Sequence, residues 1–282
     1  MNIKILSDST CDLSQAILEE NNITLVPLTV IKDDQQYKDG ITITPAEIFA
    51  HVAAGGDLCS TSANSVGEYA DIFAQYADQF DGVLHINIGS GFSSCFQNAS
   101  IAAQEFDNVA VVDSMNLSTG QGLVVLEACR LARECSSLEE LREKVQAFTS
   151  RVEASFLVDK LNYLVKGGRC SAAAALGANL LNLKPCIEVR DGKMAVVKKY
   201  RGSYDKCLAS YVKDRLNGRE NELDHHLLFV TNTPVSDKCY DAVLAAVEQY
   251  GSYFQTVEKT MAGCTVSCHC GPGTLGVLFV RS

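Results

Sequence analysis

The sequence predicts an α/β protein of two domains, an N-terminal, mostly parallel sheet with helices on both faces and a C-terminal α/β domain with a mixed sheet. Three observations carry this expectation. Short apolar runs alternate with helical patterns through the first half, the arrangement that builds parallel strands joined by helical crossovers. That alternation becomes less regular near residue 150, which divides the chain into 1–150 and 151–282. Asp191-Gly192, set between two apolar runs, is a hairpin signal that brings an antiparallel pair into the second domain. A chain of 282 residues, 47% hydrophobic and 21% charged, is long enough to bury two cores.

Taken in order, residues 2–6 form a short strand ending in Ser7-Asp8-Ser9-Thr10-Cys11-Asp12-Leu13, and a helix follows over 14–20. Polar groups thus gather where a strand hands over to a helix, the place where open α/β sheets bind ligands. The run 23–31 alternates poorly and reads as one strand buried on both faces. Thr44-Pro45-Ala46-Glu47 opens a helix with an N-cap, a proline and an acid, and Gly55-Gly56 ends it. The loop Cys59-Ser60-Thr61-Ser62-Ala63-Asn64 offers thiol, hydroxyl and amide groups and reads equally as turn chemistry, before Ser65 and Glu68 form a capping box. Residues 82–88 are a strand feeding Gly89-Ser90-Gly91-Phe92-Ser93-Ser94 and a helix over 95–106. Free backbone N–H groups and the helix dipole favour an anion there. The strand over 108–112 ends at Asp113, and helices over 118–135 and 138–153 follow, the second with Ser137 and Glu140 as its capping box.

In the second half a helical turn ends at Gly167-Gly168-Arg169, a small-residue helix covers 171–181, and 186–200 is the hairpin. Helices over 204–216 and 236–250 alternate with strands over 227–231 and 254–259. The last motif, Cys264-Thr265-Val266-Ser267-Cys268-His269-Cys270-Gly271-Pro272-Gly273-Thr274-Leu275-Gly276, holds one histidine among glycines and a proline. It reads as a ligand site or as a tight turn with a solvated histidine.

Composition narrows the function. A net charge of −10 argues against nucleic acid and anionic membrane surfaces as partners. No apolar run approaches the ~20 residues of a transmembrane helix. Asp8 interrupts the first apolar run too early for a signal peptide, so a cytoplasmic protein is expected. The 12 cysteines are too sparse over 282 residues for a disulfide scaffold and read as reduced, buried thiols. Cys264, Cys268 and Cys270 beside His269 lack the Cys-x2-Cys spacing of a structural zinc site, so no metal is expected.

Ser7-Asp8-Ser9-Thr10-Cys11-Asp12-Leu13, Thr61-Ser62, Gly91-Phe92-Ser93, Lys166-Gly167-Gly168-Arg169, Leu183-Lys184-Pro185 and the His269 to Gly276 motif, taken together and in this order, resemble the DegV family over the whole chain. The resemblance implies a DegV-like fold of two α/β domains with a long-chain fatty acid between them. It further implies a non-enzymatic, lipid-binding subunit of a bacterial fatty acid kinase, working with a separate fatty acid kinase catalytic protein in phospholipid synthesis, with no cofactor and at most transient membrane contact. By motif, it assigns the carboxylate of the fatty acid to Thr61, Ser93 and His269, with Ser62 and Ser94 as helpers. Two hydroxyls and an imidazole, at or near helix starts, are suitable donors to a carboxylate. Arg201 corresponds to an arginine near the ligand opening, and Arg169, Gly271 and Gly273 belong to that opening or are structural, Arg169 by capping carbonyls around Gly167-Gly168. Family members commonly continue the Gly-x-Ser motif with Gly-Thr, where this chain has Ser94-Cys95.

Two other readings use the same residues. A serine hydrolase would employ Ser93 and His269, yet the chain has no Gly-x-Ser-x-Gly elbow and no assignable orienting acid. A nicotinamide-dependent enzyme would read Gly89-Ser90-Gly91 and Asp113 as a dinucleotide fingerprint, but Ser94 stands where the third glycine belongs. No Walker A sequence is present to hold ATP.

Overall fold

A computed structural model describes residues 1–171 and 183–282 of the chain. The helix expected over 171–181 therefore lies, from residue 172 on, outside the described residues. The first half runs β1 (Ile3–Asp8), α1 (Gln15–Glu20), β2 (Thr24–Val26), β3 (Thr29–Lys32), β4 (Gln35–Lys38), α2 (Pro45–Ala53), β5 (Ser60–Ser62), α3 (Val66–Ala77), β6 (Gly82–Asn87), α4 (Cys95–Ala103), β7 (Val109–Asp113), α5 (Thr119–Leu131) and α6 (Leu138–Phe148). The second half runs β8 (Val152–Leu157), α7 (Asn162–Gly167), β9 (Leu183–Arg190), β10 (Lys193–Arg201), α8 (Tyr204–Leu216), β11 (Leu223–Asn232), α9 (Asp237–Glu248), β12 (Thr256–Met261), α10 (Cys264–Cys270) and β13 (Leu275–Arg281).

The strands of the first half form a parallel sheet in the order β2-β1-β6-β7. Side chains alternate across it with the period of two that strand geometry imposes. Ile5, Leu84 and Ile86 pack with Leu123, Val124, Leu141 and Val145 of α5 and α6 on one face, while Leu6 and Val83 pack with Tyr69, Phe73 and Ala99 of α3 and α4 on the other. The expected single strand over 23–31 is two strands. Pro27, which has no N–H to give a ladder, separates β2, paired to β1, from β3, which joins a small antiparallel sheet in the order β4-β3-β5. The polar loop 59–64 accordingly contains a strand, with Thr61 opposite Val30.

Helix starts follow local chemistry. Thr44 with Glu47 and Ser65 with Glu68 form complete capping boxes. At Ser137 only half forms: Ser137 Oγ accepts from Glu140 N at 3.1 Å, but the Glu140 carboxylate accepts from Ser136 instead. The helix expected to reach 153 ends at Phe148, because Val152 onward is claimed by the β13 ladder.

The second half is a mixed six-stranded sheet, β10-β9-β8-β13-β11-β12, in which only β11 and β12 are parallel. Asp191 and Gly192, both at positive φ, make the hairpin between β9 and β10. One face, including Val277 and Phe279, is covered by Leu208, Tyr211 and Val212 of α8 and by Val243 and Val247 of α9. The opposite face turns toward the first half: Ala154, Phe229, Leu278 and Val280 pack with Leu123 and Val124, and Phe156 and Ile187 with Leu6 and Phe92. The two sheets are thus held together through a continuous apolar contact, and the candidate site lies along it. No helix among the described residues is long and apolar enough to cross a membrane.

Candidate functional site

The histidine motif read as a turn is a helix for most of its length, α10, with Gly271-Pro272-Gly273 only at its end. Its free N-terminal N–H groups are bonded by two buried carboxylates from the first half of the chain. Gly263 N donates to Asp12 Oδ1 at 2.8 Å, Cys264 N to Asp39 Oδ1 at 2.8 Å and Thr265 N to Asp39 Oδ2 at 3.1 Å. Ser118 Oγ and Ser9 Oγ donate to the same two carboxylates, at 2.5 and 2.9 Å. The Ser7 to Leu13 motif is therefore not a ligand site itself. Asp12 anchors α10, and Asp8 accepts from Ile88 N, Tyr69 and Asn87, fixing the end of β6 from which the Ser93 loop departs.

His269, on the last turn of α10, faces β5: its Nε2 lies 2.7 Å from Thr61 Oγ1. Burial, and then the nearby Arg169 guanidinium, lower its pKa to about 4, so the ring is neutral at physiological pH. Nδ1 is buried without a partner among the described residues, so Nε2 is the ring nitrogen that makes a hydrogen bond. Ser93 precedes α4, with its Oγ 3.0 Å from Cys95 Sγ and accepting from Cys95 N at 3.3 Å. Thus Thr61 is on a strand and His269 at a helix end, not at the helix starts expected from sequence, and Ser93 alone stands before one.

These groups line one cavity of about 50 Å³ together with Ser62 and Arg169, and its other walls are largely apolar, among them Leu28, Ile88, Phe92, Leu117, Met194 and Val266. A second cavity of about 30 Å³ lies beyond a wall of Leu117, Val266 and Cys270 common to both. Either is far smaller than the ~300–1,000 Å³ of a typical ligand pocket. Arg169 carries the single formal charge among the described lining residues. Its Nη1 donates to Gly167 O at 2.7 Å, the carbonyl-capping role expected of it, and its Nε to Phe92 O at 3.4 Å.

Other expected site residues are placed elsewhere. Ser94, at the N-cap position of α4, is exposed and outside the lining. Arg201 is exposed at the end of β10 and is also outside the lining. Gly271 and Gly273 both have positive φ (75° and 81°), and a Cβ at Gly271 would fall 2.5 Å from the Tyr163 ring. Sequence reasoning missed Thr265, which lines the cavity one helical turn before His269 and becomes visible only once the motif is helical. It also missed the apolar walls, which come from six separate elements and loops.

Neither alternative chemistry assembles. His269 Nε2 bonds Thr61 rather than Ser93, and no carboxylate orients Nδ1. Asp113 Oδ1 accepts from Ser90 N at 3.0 Å and Met115 N at 2.9 Å, so this acid holds its own loop rather than awaiting a ribose. No group of three or more His, Cys, Asp or Glu residues that could hold a metal occurs among the described residues. Of the 12 cysteines, Cys239 alone is not buried.

Comparison with known proteins bears on this arrangement. A family model described as "Uncharacterised protein, DegV family" matches residues 2–282. A DegV domain-containing protein of Clostridium acetobutylicum is 31% identical over 281 residues, covering 99% of this chain and 98% of its own. Among solved structures, that of a Thermus thermophilus DegV family protein described as fatty acid binding superposes with a TM-score of 0.91 at 29% identity, covering 100% of both chains. A stearic acid-binding protein from Eubacterium ventriosum gives a TM-score of 0.80 at 28% identity, covering 99% of this chain and 98% of that one. With sequence, fold and motif order in agreement along the whole length, this chain belongs to the DegV family.

Proposed function

We propose that this chain binds a long-chain fatty acid, with the carboxylate on Thr61, Ser93 and His269 and the tail threaded between the two sheets, and presents that carboxylate to a separate kinase that forms the acyl phosphate. One observation carries the reading: three neutral hydrogen-bonding groups from β5, the loop before α4 and α10 line one cavity whose other walls are largely apolar. Neutral donors hold a carboxylate without the desolvation cost of a buried fixed pair, and Arg169 supplies compensating charge at the rim. Ser62, which lines the same cavity, assists. The tail contributes most of the affinity, at ~0.8 kcal/mol for each buried methylene. The relatives described as fatty acid and stearic acid binders support the ligand class. The domain boundary falls between α6 and β8, and the reading is of a carrier without its own phosphoryl chemistry, working in the cytoplasm.

Two measurements test this. Lipid extracted from denatured protein should contain fatty acid, and Thr61→Ala, Ser93→Ala and His269→Ala should each weaken binding of a fluorescent fatty acid by about 1–3 kcal/mol, the cost of removing one partner of a charge-assisted hydrogen bond. Unchanged affinity in all three would remove the assignment. Incubation with ATP, Mg²⁺ and oleate should leave the lipid intact unless a fatty acid kinase is added, and acyl phosphate formed by this chain alone would overturn the carrier role.

A further inference from the structure

Thr265 is 5% exposed, lines the cavity with Thr61, Ser93 and His269, and has a hydroxyl with no hydrogen-bond partner. The other hydroxyls of the lining are all engaged: Thr61 with His269, Ser62 with Ala63 O and Ser93 with Cys95. Thr265 stands in the first turn of α10, where no helical carbonyl lies one turn back to accept from its hydroxyl, and Asp39 engages only its N–H, at 3.1 Å. An orphan hydroxyl buried in an apolar wall lowers stability unless something in the cavity completes it.

Its position indicates what that is. Residues four apart on a helix have Cβ atoms ~5–6 Å from one another on the same face. Thr265 therefore lies about one turn from His269 on the same side of α10, in a lining it shares with Val266, Leu28 and Leu117. A hydroxyl both donates and accepts, so it matches another hydroxyl rather than a methylene. We propose that Thr265 is a further ligand-binding residue and that it selects acids with a second oxygen close to the carboxyl end, of which 3-hydroxy fatty acids are the class. This rests on the fatty acid reading above.

The test compares palmitate with 3-hydroxypalmitate on the wild-type protein, Thr265→Val and Thr265→Ser. The wild type should bind the hydroxy acid about five- to tenfold more tightly, the worth of one hydrogen bond in a dry site. Thr265→Val should bring the two acids to equal affinity with palmitate unchanged, Thr265→Ser should restore the preference, and Thr265→Val should melt no lower than wild type because it removes an orphan polar group. Equal binding of both acids by the wild type overturns the proposal while leaving the fatty acid reading intact. A loss shared equally by both acids in Thr265→Val also overturns it, making Thr265 a carboxylate contact. If neither acid binds the wild type, the fatty acid reading fails and this one with it.

Discussion

Asp12 titrates well above the usual carboxylate range. Desolvation, opposed by bonds from Ser118 and Gly263 and reinforced by the neighbouring Asp39, raises its pKa to about 8. The thiols facing it, Cys11, Cys264 and Cys270, are pushed up to about 12 and stay neutral. The native state therefore binds a proton that the unfolded chain releases near pH 4, and folding stability falls as pH rises between about 4 and 8. His269 acts in the opposite sense: with a native pKa of about 4 against an unfolded value of 6.5, it makes stability fall as pH drops from 6.5 toward 4. Of the two, Asp12 alone contributes a slope from pH 6.5 to 8. Thermal melts across that window should show a falling midpoint in the wild type and a flatter one in Asp12→Asn, and parallel slopes would refute the assignment. Gly167 offers a second residue-level test, because a Cβ there would lie 2.6 Å from His269 Nδ1. Gly167→Ala should push the ring off Thr61 and weaken oleate binding about tenfold, the loss of one charge-assisted bond, while oleyl alcohol binding is retained. Equal losses for both ligands would mean that the ring is not the carboxylate donor.

Among elements, α2 and α3 were legible in the sequence because their caps are local, whereas α10 was not. Its Cys-Thr-Val-Ser-Cys sequence has poor helix propensity, it has no side-chain cap of its own, and its N–H groups are taken by acids 251 and 225 residues away in the chain. Tertiary contact makes this helix, and no local pattern announces it. The split of β2 from β3 was, by contrast, written in Pro27, although the apolar run around it masked the break. The site residues were legible only through the order of motifs: Thr61, Ser93 and His269 are brought together as expected, but Thr265 depended on knowing that α10 is a helix. Asp39→Ala should accordingly cost more than a local cap. Stranding Cys264 N, Thr265 N and the Ser9 hydroxyl should destabilise by about 1–3 kcal/mol for each buried group left unpaired. Ser65→Ala, at an exposed cap, should cost about 1 kcal/mol. Urea denaturation of both variants measures the difference, and equal costs would argue that α10 stands without its distant acids.

At the scale of the whole molecule, the second sheet uses one face for its own helices and the other for the first half of the chain. The candidate site is divided the same way, with Thr61 and Ser93 from the first half of the chain and His269 from the second. α10 is joined by its peptide bonds to the second half and by Asp12, Asp39 and Thr61 to the first. Kinetics follow from this divided allegiance. A fatty acid bound as proposed between the halves would leave only when they part, and its residence time would be governed by how often the clasp of α10 opens rather than by how well any one donor fits. Exchange of bound for free lipid should then proceed at a rate independent of competitor concentration, rise steeply with temperature, and quicken in Asp39→Ala even where all three carboxylate donors are intact.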